Sequence, residues 1–379
     1  MMGFGLYVHW PFCAAKCPYC DFNSHVRTEI DEKGWCQAIL REMAYVAVLQ
    51  GARPRLETIF FGGGTPSLMG GDSVGLIIDT ASRLWPVADN VEITLEANPA
   101  SAEAARFADY RAAGVNRVSL GVQALNDADL KFLGRLHNVA EAKAALTMAM
   151  RTFDRVSLDL IYARPGQTVE DWKCELAEGL AFGTEHMSLY QLTIEPQTPF
   201  AIRHAEGHFR IPGEDLAASL FEVTQELTAA AGLPAYEVSN HARPGAEARH
   251  NLIYWRYRDY AGLGPGAHGR LAIDGRRVAT ACERLPERWR EKVTADGHGF
   301  VEMNEVSASD AARENLLMSL RLAEGIDLEA FRARWGVAPN SDRIAELAGV
   351  GLVELEAGRL RATPRGMLVL NSVIAALAE

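Results

Sequence analysis

The 379-residue sequence has no apolar run long enough to cross a membrane and no long basic tract. A membrane-spanning helix needs about 20 consecutive apolar residues, so we expect no integral membrane span. Proteins that bind nucleic acids usually carry a basic surface, whereas this chain has a formal net charge of -11 and a pI of about 5.5. The sequence therefore predicts a globular protein with no nucleic-acid partner.

Cysteine is also scarce, since the chain has six, and three of these are scattered at Cys36, Cys174 and Cys282. Scattered cysteines do not form a disulfide framework, and they suit a reducing compartment. The amino terminus, MMGFGLYVHWPF, has neither a basic region nor a small-residue cleavage site, so no secretory signal is predicted. We therefore expect a cytoplasmic protein.

Residues 6 to about 196 alternate short apolar runs with longer amphipathic stretches. The apolar runs are LYVHW, ETIFF, VEITLEA, RVSLGVQ, RVSLDLIY and HMSLYQLTI, and such runs are typical of strands buried on both faces of a parallel sheet. Ser101 and Thr168 are candidate caps of two intervening helices, which end near Gly114 and Gly183. Six strand–helix units predict an α/β fold, either a (β/α) barrel or an open part of one. A doubly wound open sheet is the alternative.

The pattern of the chain changes after residue 235. Residues 236–300 are aromatic, Gly-rich and irregular in pattern, which is typical of a functional loop region. Residues 301–379 become helical again, with two short strands predicted around Ala357 and Gly358. We therefore divide the chain into a barrel domain at 1–235, a connecting region at 236–300 and a smaller C-terminal α+β, winged-helix-like domain at 301–379.

Three thiols, Cys13, Cys17 and Cys20, lie within eight positions directly after the first predicted strand. A structural zinc usually has four ligands, and His9 or His25 is available as the fourth, so zinc is one interpretation. However, the sequence has no second CxxC pair. A [4Fe–4S] cluster uses four thiolates, one for each iron. Three cysteines therefore leave one iron open to a small molecule that binds through an amine and a carboxylate, and we favour the cluster.

The whole motif, LYVHWPFCAAKCPYCDF, resembles the radical S-adenosylmethionine (SAM) superfamily, whose signature is CxxxCxxC after a first strand. It is more similar to the oxygen-independent coproporphyrinogen III oxidase group and, within that group, to the HemW branch of heme chaperones. The likeness covers nearly the whole chain, including ENLLMSLRL and LRATPRGMLVLNSVI near its end. The resemblance implies a partial (β/α)6 TIM-like radical SAM barrel, a [4Fe–4S] cluster at the three cysteines, and bound SAM.

Polar residues at the ends of later strands carry a second part of the resemblance. GGGTP follows the second strand, Glu96 and Gln123 end the third and fourth, and Asp159 lies in the fifth. From the residues alone, the glycines can form a plain turn and Asp159 can be a structural hydrogen-bonding group. Polar groups at one end of successive strands nevertheless favour a site at the barrel mouth. The resemblance assigns no catalytic residue here, and it assigns SAM contact to Tyr7, Tyr19, Gly63, Gly64, Thr65, Glu96, Gln123, Arg135 and Asp159.

The sequence departs from the coproporphyrinogen oxidases at two places. The oxidases have a further cysteine two positions after the triad, where this chain has Phe22. The stretch that ends their second SAM site corresponds to GLGPGAHG, with His268 in place of an aliphatic residue. Both departures favour a heme carrier and make coproporphyrinogen III dehydrogenase activity unexpected. A radical SAM enzyme that acts on a tetrapyrrole is the alternative, so the sequence leaves open whether the protein is an enzyme.

A third motif, HNLIYW at residues 250–255, matches the HNxxYW motif of the chaperone branch. From the residues alone, an aromatic loop packed on the barrel rim is the favoured explanation. Imidazole can ligate heme iron, and aromatic rings can pack on a porphyrin, so the resemblance implies heme contact by His250, Tyr254 and Trp255. Rival heme ligands are His9, His25 and His268. The expected partners are heme and a heme-acceptor protein, for which a respiratory hemoprotein is expected, and the chain is expected to be a monomer or a dimer.

Overall fold

The computed structural model describes residues 3–51 and 53–378, so Met1, Met2, Ala52 and Glu379 lie outside the described residues. In chain order the strands are β1 (Phe4–Trp10), β2 (Phe12–Cys13), β3 (His25–Val26), β4 (Leu56–Gly63), β5 (Val87–Ala97), β6 (Arg117–Gln123), β7 (Arg155–Tyr162), β8 (His186–Gln191), β9 (Asn240–Ala242), β10 (Tyr260–Leu263), β11 (His268–Ile273), β12 (Arg276–Cys282), β13 (Phe300–Glu305), β14 (Ile326–Asp327), β15 (Val353–Glu356) and β16 (Arg359–Ala362). The helices are α1 (Glu32–Gln50), α2 (Gly71–Leu84), α3 (Ser101–Ala104), α4 (Phe107–Ala112), α5 (Asp127–Phe132), α6 (Val139–Thr152), α7 (Val169–Ala181), α8 (Pro199–Ala205), α9 (Glu214–Ala230), α10 (Arg249–Trp255), α11 (Pro286–Asp296), α12 (Ala308–Ser319), α13 (Leu328–Trp335), α14 (Ser341–Gly349), α15 (Pro364–Leu368) and α16 (Leu370–Ala378).

Eleven of these strands form one sheet in the order β13-β12-β11-β10-β1-β4-β5-β6-β7-β8-β9. Neighbouring strands from β10 through β1 and β4 to β8 are parallel, and the other pairs are antiparallel. The six predicted apolar runs correspond to β1 and β4 to β8, so the predicted α/β sheet is confirmed. Within the described residues the two outermost strands have one neighbour each, and the barrel is therefore open.

Side chains on strands that are not neighbours meet across the inner face of the sheet. Arg155 on β7 donates a hydrogen bond of 2.6 Å to Glu92 on β5, although β6 lies between these strands. Successive side chains of a strand point to opposite faces, so Glu92 and Glu96 share the inner face of β5. Ile93 and Leu95 point outward and belong to the main hydrophobic core. The inner face is therefore polar, while the outer face packs against the helices.

Helix α10 closes the amino-terminal end of this polar interior. The backbone N–H groups of Arg249 and His250, at the start of the helix, each donate a bond of 3.0 Å to the Glu92 carboxylate. A helix begins with unsatisfied N–H groups and a positive dipole end, so a buried carboxylate satisfies both requirements at once. Glu92 thereby fixes the HNLIYW segment to β5.

The predicted helix caps have two different outcomes. Thr168 and Asp171 form a reciprocal capping box at the start of α7, which confirms Thr168 as the cap. Ser101 was the wrong residue, because Ala100 is the cap of α3 and the Ser101 hydroxyl donates to Glu141 instead. The stretch from 101 to 114 is also divided into α3 and α4 rather than forming one helix.

Residues 236–300 are regular rather than irregular. This segment contains α10 and the strands β10, β11 and β12, and β10 pairs in parallel with β1. The four residues of β10, YAGL, are too few to show a strand pattern, so their state depends on pairing with β1. The main sheet thus continues past residue 235, and the domain boundaries at 235 and 300 remain predictions.

The C-terminal residues have a hydrophobic core of their own. It includes Leu316, Phe331, Leu360 and Val373, and a three-stranded sheet of β14, β16 and β15 packs beside the helices. The predicted pair of strands is confirmed as β15 and β16, which are joined by Ala357 and Gly358 with φ of 49° and 80°. Positive φ at both central residues is typical of a tight hairpin turn. None of the helices in the described part of the chain is long and apolar enough to span a bilayer.

Candidate functional site

A cavity of about 380 Å³ opens at the carboxyl ends of the parallel strands. This is the end at which (β/α) barrels place their active sites. The cavity brings together eleven of the fifteen predicted site residues: Cys13, Cys17, Tyr19, Cys20, Gly63, Gly64, Thr65, Glu96, Gln123, Arg135 and Asp159. Tyr7, His250, Tyr254 and Trp255 do not line it. The cysteine motif and most of the predicted SAM contacts therefore share one site.

The three cysteines line one wall of this cavity, and two of them receive hydrogen bonds. The Thr65 hydroxyl donates to Cys13 Sγ at 3.3 Å, and Arg135 Nη1 donates to Cys17 Sγ at 3.4 Å. Donors aimed at the sulfurs stabilise thiolates and tune an iron–sulfur cluster. Burial raises the pKa of the Cys13 and Cys20 thiols, so binding of a metal group there would release protons.

The two histidines that could complete a zinc site are already hydrogen-bonded. His9 Nε2 lies 2.9 Å from the Asn23 carbonyl, and Nδ1 lies 2.9 Å from the Tyr7 hydroxyl. Since a carbonyl only accepts, Nε2 carries the proton and Nδ1 accepts from Tyr7. Burial lowers the pKa of His9 to about 4, so the ring is neutral. His25 is half-buried and lies 3.3 Å from the Asn23 side chain. Among the described residues, no three His, Cys, Asp or Glu side chains converge to hold a single metal ion.

The GGGTP turn packs directly against the cysteine loop. A Cβ on Gly63 would lie 2.6 Å from the His9 ring, and Gly63 has a φ of 109°. A Cβ on Gly64 would lie 2.7 Å from the Phe12 carbonyl oxygen. Both positions therefore require glycine, and the turn leaves its backbone bare at the cavity wall, where a ligand can approach closely.

Three buried polar atoms of residues that line the cavity have no hydrogen-bond partner among the described residues, namely Ser24 Oγ, Gln123 Oε1 and Arg135 Nε. Gln123 also has a φ of 73°, and the β6–β7 register shifts between Gly121 and Gln123. A non-glycine residue held at positive φ costs about 1–3 kcal/mol and is typical of functional sites. Unsatisfied polar atoms and local strain at one strand end fit a polar ligand that is bound there.

Asn98 is a site residue that sequence reasoning missed. Its side chain accepts a short hydrogen bond from Arg135 and donates one of 3.2 Å to Thr65. Arg135 also donates to the Gly121 carbonyl at 3.1 Å. Asn98 thus joins the two residues that donate to the cysteine sulfurs. A polar residue directly after the strand end in LEANP was the available signal. Ser119 is a second site residue that was missed, since it also lines the cavity. The available signal was its position four residues before Gln123 on β6, which places both side chains on the same face of the strand.

Two carboxylates, Glu96 and Asp159, line the cavity and are near enough for the charge of Asp159 to act on Glu96. Burial and the nearby Asp159 charge raise the pKa of Glu96 to about 8. Burial also raises the pKa of Asp159, although hydrogen bonds from Ser188, Ser119 and Ser157 oppose this effect. Close carboxylates do not ionise independently, so the pair retains a proton near neutral pH. A cationic ligand would favour release of that proton.

We expect Glu96→Gln to make the ligand-free protein more stable at pH 9 while weakening SAM binding. Because the pKa of Glu96 is raised in the folded protein, this group does not reduce the stability of the fold below pH 4.5. As the pH rises to about 8, the protein becomes progressively less stable, since the buried carboxyl resists ionisation. Glu96 is half-buried, so removal of its charge should contribute only about 1–2 kcal/mol. Loss of a charged acceptor should weaken SAM binding by roughly tenfold. Thermal melts at pH 6 and pH 9 with equilibrium dialysis of SAM check both effects, and a variant less stable than the parent at pH 9 would contradict the argument.

Tyr7 and the HNLIYW segment lie below the cavity floor, toward the amino-terminal end of the barrel. The Tyr7 ring stacks at 6.5 Å on the His250 ring and at 6.2 Å on Phe60. His250 is 1% exposed, and its ring nitrogens lie 2.7 Å from the hydroxyls of Thr58 and Tyr254. Burial lowers the pKa of His250 to about 3. A neutral, fully hydrogen-bonded imidazole would have to give up one of these bonds to ligate iron.

The remaining residues of interest are partly or largely exposed. Trp255 is half-buried at the end of α10, and its carbonyl accepts a bond of 3.0 Å from Ser319 in the C-terminal region. His268 is exposed at the start of β11 and does not line the cavity. Phe22 lines the cavity mouth and is 58% exposed. An aromatic ring therefore occupies the place of the additional oxidase cysteine.

Comparison with protein families gives two matches along the chain. The radical SAM superfamily model matches residues 7–174, and the HemN C-terminal domain model matches residues 306–369. The first range contains the cysteine motif and the predicted SAM residues, and the second lies in the C-terminal region with its own core.

Relatives of known description match nearly the whole chain. Heme chaperone HemW of Escherichia coli is 38% identical over 97% of this chain and 96% of its own length. The mitochondrial radical S-adenosyl methionine domain-containing protein 1 of Mus musculus is 37% identical over 98% of this chain and 86% of its own length. Among solved structures, E. coli coproporphyrinogen III oxidase (HemN), described as a radical SAM enzyme, superimposes with a TM-score of 0.83 at 21% identity. The superposition covers 99% of this chain and 90% of the HemN chain, which confirms the radical SAM barrel fold.

Proposed function

Since the chain belongs to the radical SAM superfamily, in the coproporphyrinogen III oxidase-like group with the HemW heme chaperones, we propose that it is a heme chaperone. It binds a [4Fe–4S] cluster, SAM and heme, and it transfers the heme to an acceptor protein. The observation that carries the proposal is full-length similarity to several proteins described as heme chaperone HemW, at 31–38% identity. Membership of the superfamily itself implies the cluster and SAM.

The cavity suits the cluster and SAM together. Cys13, Cys17 and Cys20 would hold three irons, and a cluster held in this way supplies an open iron for the amine and carboxylate of SAM and an electron when reduced. In this proposal, Gly63, Gly64 and Thr65 present backbone groups to the methionine part of SAM. The other SAM contacts are Tyr19, Glu96, Gln123, Arg135 and Asp159. Tyr7 acts through His9, since its hydroxyl bonds that ring below the cavity floor.

Phe22 supports a carrier over an oxidase. A cysteine at this position would offer a fourth thiol beside the cluster, whereas phenylalanine offers an apolar ring that is 58% exposed at the cavity mouth. A phenylalanine ring cannot ligate a metal, so this position offers no fourth thiolate. The residue type therefore counts against the oxidase alternative, in which a further cysteine stands at this place.

The heme residues proposed from the HNLIYW motif are His250, Tyr254 and Trp255. Coordination by His250 requires loss of its bond to Thr58 or to Tyr254, together with access past the Glu92 anchor. Heme loading in this proposal therefore includes a movement of α10. The acceptor is proposed to be a respiratory hemoprotein.

We expect His250→Ala to weaken heme binding and shift the Soret band while iron content remains close to that of the parent. An axial imidazole sets the heme spectrum, whereas the cavity residues do not contact this side chain. His268→Ala is the matched control, because this exposed rival ligand lies at the start of β11 and not on α10. An unchanged Soret spectrum in His250→Ala would show that another residue is the axial ligand of the heme iron. Melting temperature is measured in parallel, since loss of the buried ring also removes two hydrogen bonds.

The function itself is tested by two assays on anaerobic, cluster-loaded protein. The chaperone proposal predicts saturable heme binding in a Soret titration and no consumption of coproporphyrinogen III in the presence of SAM and reductant. Rapid decarboxylation would establish the alternative, a radical SAM enzyme of tetrapyrrole metabolism. Absence of heme binding would refute the proposal.

A further inference from the structure

A continuous series of side-chain hydrogen bonds crosses the barrel interior from the cavity toward α10. At the cavity, Asp159 on β7 accepts a bond of 3.0 Å from Ser157 Oγ. Ser157 Oγ in turn lies 2.7 Å from His186 Nδ1 on β8. Ser157 is fully buried and His186 is 1% exposed, so water does not readily replace either partner. The series thus begins at a cavity carboxylate and leads into the interior.

The other nitrogen of His186 continues the series. His186 Nε2 lies 3.0 Å from the Tyr236 hydroxyl, which accepts a bond of 3.3 Å from Asn251 Nδ2. Asn251 is the second residue of the HNLIYW motif. The Tyr236 carbonyl also accepts a backbone bond of 2.9 Å from Ala323. The far end therefore reaches both α10 and the C-terminal region.

All donors in this series can point toward the cavity. With Asp159 ionised, its carboxylate only accepts, so Ser157 must donate to it and must accept from His186 Nδ1–H. Burial lowers the pKa of His186 well below its ordinary value, so the ring is neutral and Nε2 accepts from Tyr236. The amide of Asn251 then donates to Tyr236. The His186 tautomer with its proton on Nδ1 therefore satisfies every group in the series. If the donor direction of any one hydrogen bond were reversed, a buried polar atom would be left unpaired.

We propose that His186, Tyr236 and Asn251 are positioning residues for Asp159, and that together with Ser157 they form a lumen relay that couples the HNLIYW helix to the SAM site. The proposal rests on the proposed function, because it takes Asp159 as a SAM contact. It gives the HNLIYW motif a second role beside heme contact. A displacement of α10 would withdraw Asn251 from Tyr236, and the change would reach the orientation of the Asp159 carboxylate through three side chains, Tyr236, His186 and Ser157.

The relay predicts that Tyr236→Phe weakens SAM binding although residue 236 does not line the cavity. The substitution removes one hydroxyl and preserves the ring, so it leaves His186 Nε2 without its donor. A partly buried hydrogen bond of this kind corresponds to about a three- to tenfold change in Kd. Asn251→Leu tests the same relay from its end if the phenylalanine variant does not fold.

A double-mutant cycle separates positioning from a general loss of packing. SAM affinity is measured by equilibrium dialysis for cluster-loaded parent, Tyr236→Phe, Asp159→Asn and the double variant. If Tyr236 acts through Asp159, its effect disappears in the Asp159→Asn background, because coupled residues are not additive. Tyr257→Phe is the matched control: its hydroxyl donates to Glu314 at 2.6 Å outside the relay, and its SAM affinity should equal that of the parent.

The outcomes distinguish the relay from the proposed function. Parent protein that does not bind SAM would refute the function that the relay depends on. Parent protein that binds SAM, with Tyr236→Phe within twofold of it, would overturn the relay alone. An equal loss from Tyr236→Phe in both backgrounds would also overturn it, since the hydroxyl would then act independently of Asp159. Loss in the parent background with no further loss in the Asp159→Asn background supports the relay.

Discussion

Cys17→Ser is expected to abolish the cluster's brown absorbance and most of the affinity for SAM. Cys17 supplies one of three thiols at the cavity and accepts a hydrogen bond from Arg135, so its loss leaves two thiolates, which do not hold a [4Fe–4S] cluster stably. SAM then has no open iron to bind, and its affinity should fall by at least about tenfold. Iron and sulfide assays with equilibrium dialysis of SAM measure both effects on anaerobically reconstituted protein.

Cys174→Ser is the matched control for this experiment. Cys174 is an exposed cysteine on α7 and does not line the cavity, so its replacement should leave iron, sulfide and SAM binding unchanged. Iron content equal to that of the parent in the Cys17→Ser variant would refute the assignment of the thiol ligands. Equal losses in both variants would instead indicate a general sensitivity to thiol replacement.

The largest effect on stability is expected for Glu92→Gln, at about 3 kcal/mol of destabilisation. The Glu92 side chain is fully buried, accepts from Arg155 Nη1 at 2.6 Å, and holds the first N–H groups of α10. Glutamine is neutral and presents one acceptor oxygen, so Arg155 and the nearby Arg117 lose their buried counter-charge. Chemical denaturation at pH 7 measures the difference. We also expect amide exchange in α10 to accelerate, because this carboxylate anchors the helix to β5.

The difference in the free energy of unfolding between the parent and Glu92→Gln should decrease under acidic conditions. Burial raises the pKa of Glu92, but Arg117, Arg155 and the helix N–H groups outweigh burial and leave it below its ordinary value of 4.5. A lowered carboxyl pKa stabilises the fold above pH 4.5, and that contribution is lost as the pH falls through the folded-state pKa. Glu324→Gln is the control, because its pair with Arg256 is exposed and worth at most about 1 kcal/mol. Comparable losses in the two variants at pH 7 would contradict the anchoring role.

Much of the fold was predictable because its signals are local. The six parallel strands are continuous apolar runs, which parallel strands buried on both faces require, and β4, for example, extends ETIFF by only three residues. The cysteine wall and the strand-end residues were predictable for the same reason. Once the strands are parallel, their carboxyl ends meet at one mouth, and Glu96, Gln123 and Asp159 follow from strand order alone.

The features that were missed depend on contacts between distant parts of the chain. His250 bonds Thr58 across 192 positions and Glu92 across 158, and no local pattern indicates that an aromatic, Gly-rich stretch closes the barrel. Strand β10 forms because β1 is available as a partner. The hydrogen bond from Asn251 to Tyr236 requires knowledge of which strand faces point inward. Asn98 differs from these, since its position directly after β5 was a usable signal.

The central claim is that three thiolates hold a cluster with one open iron in a protein that also binds heme. It is tested most directly by anaerobic reconstitution followed by iron, sulfide, zinc and heme counts on one sample. The account predicts about four cluster irons and about four sulfides per chain, with heme in addition and negligible zinc. Stoichiometric zinc without sulfide, or a full cluster that does not respond spectroscopically to SAM, would contradict it.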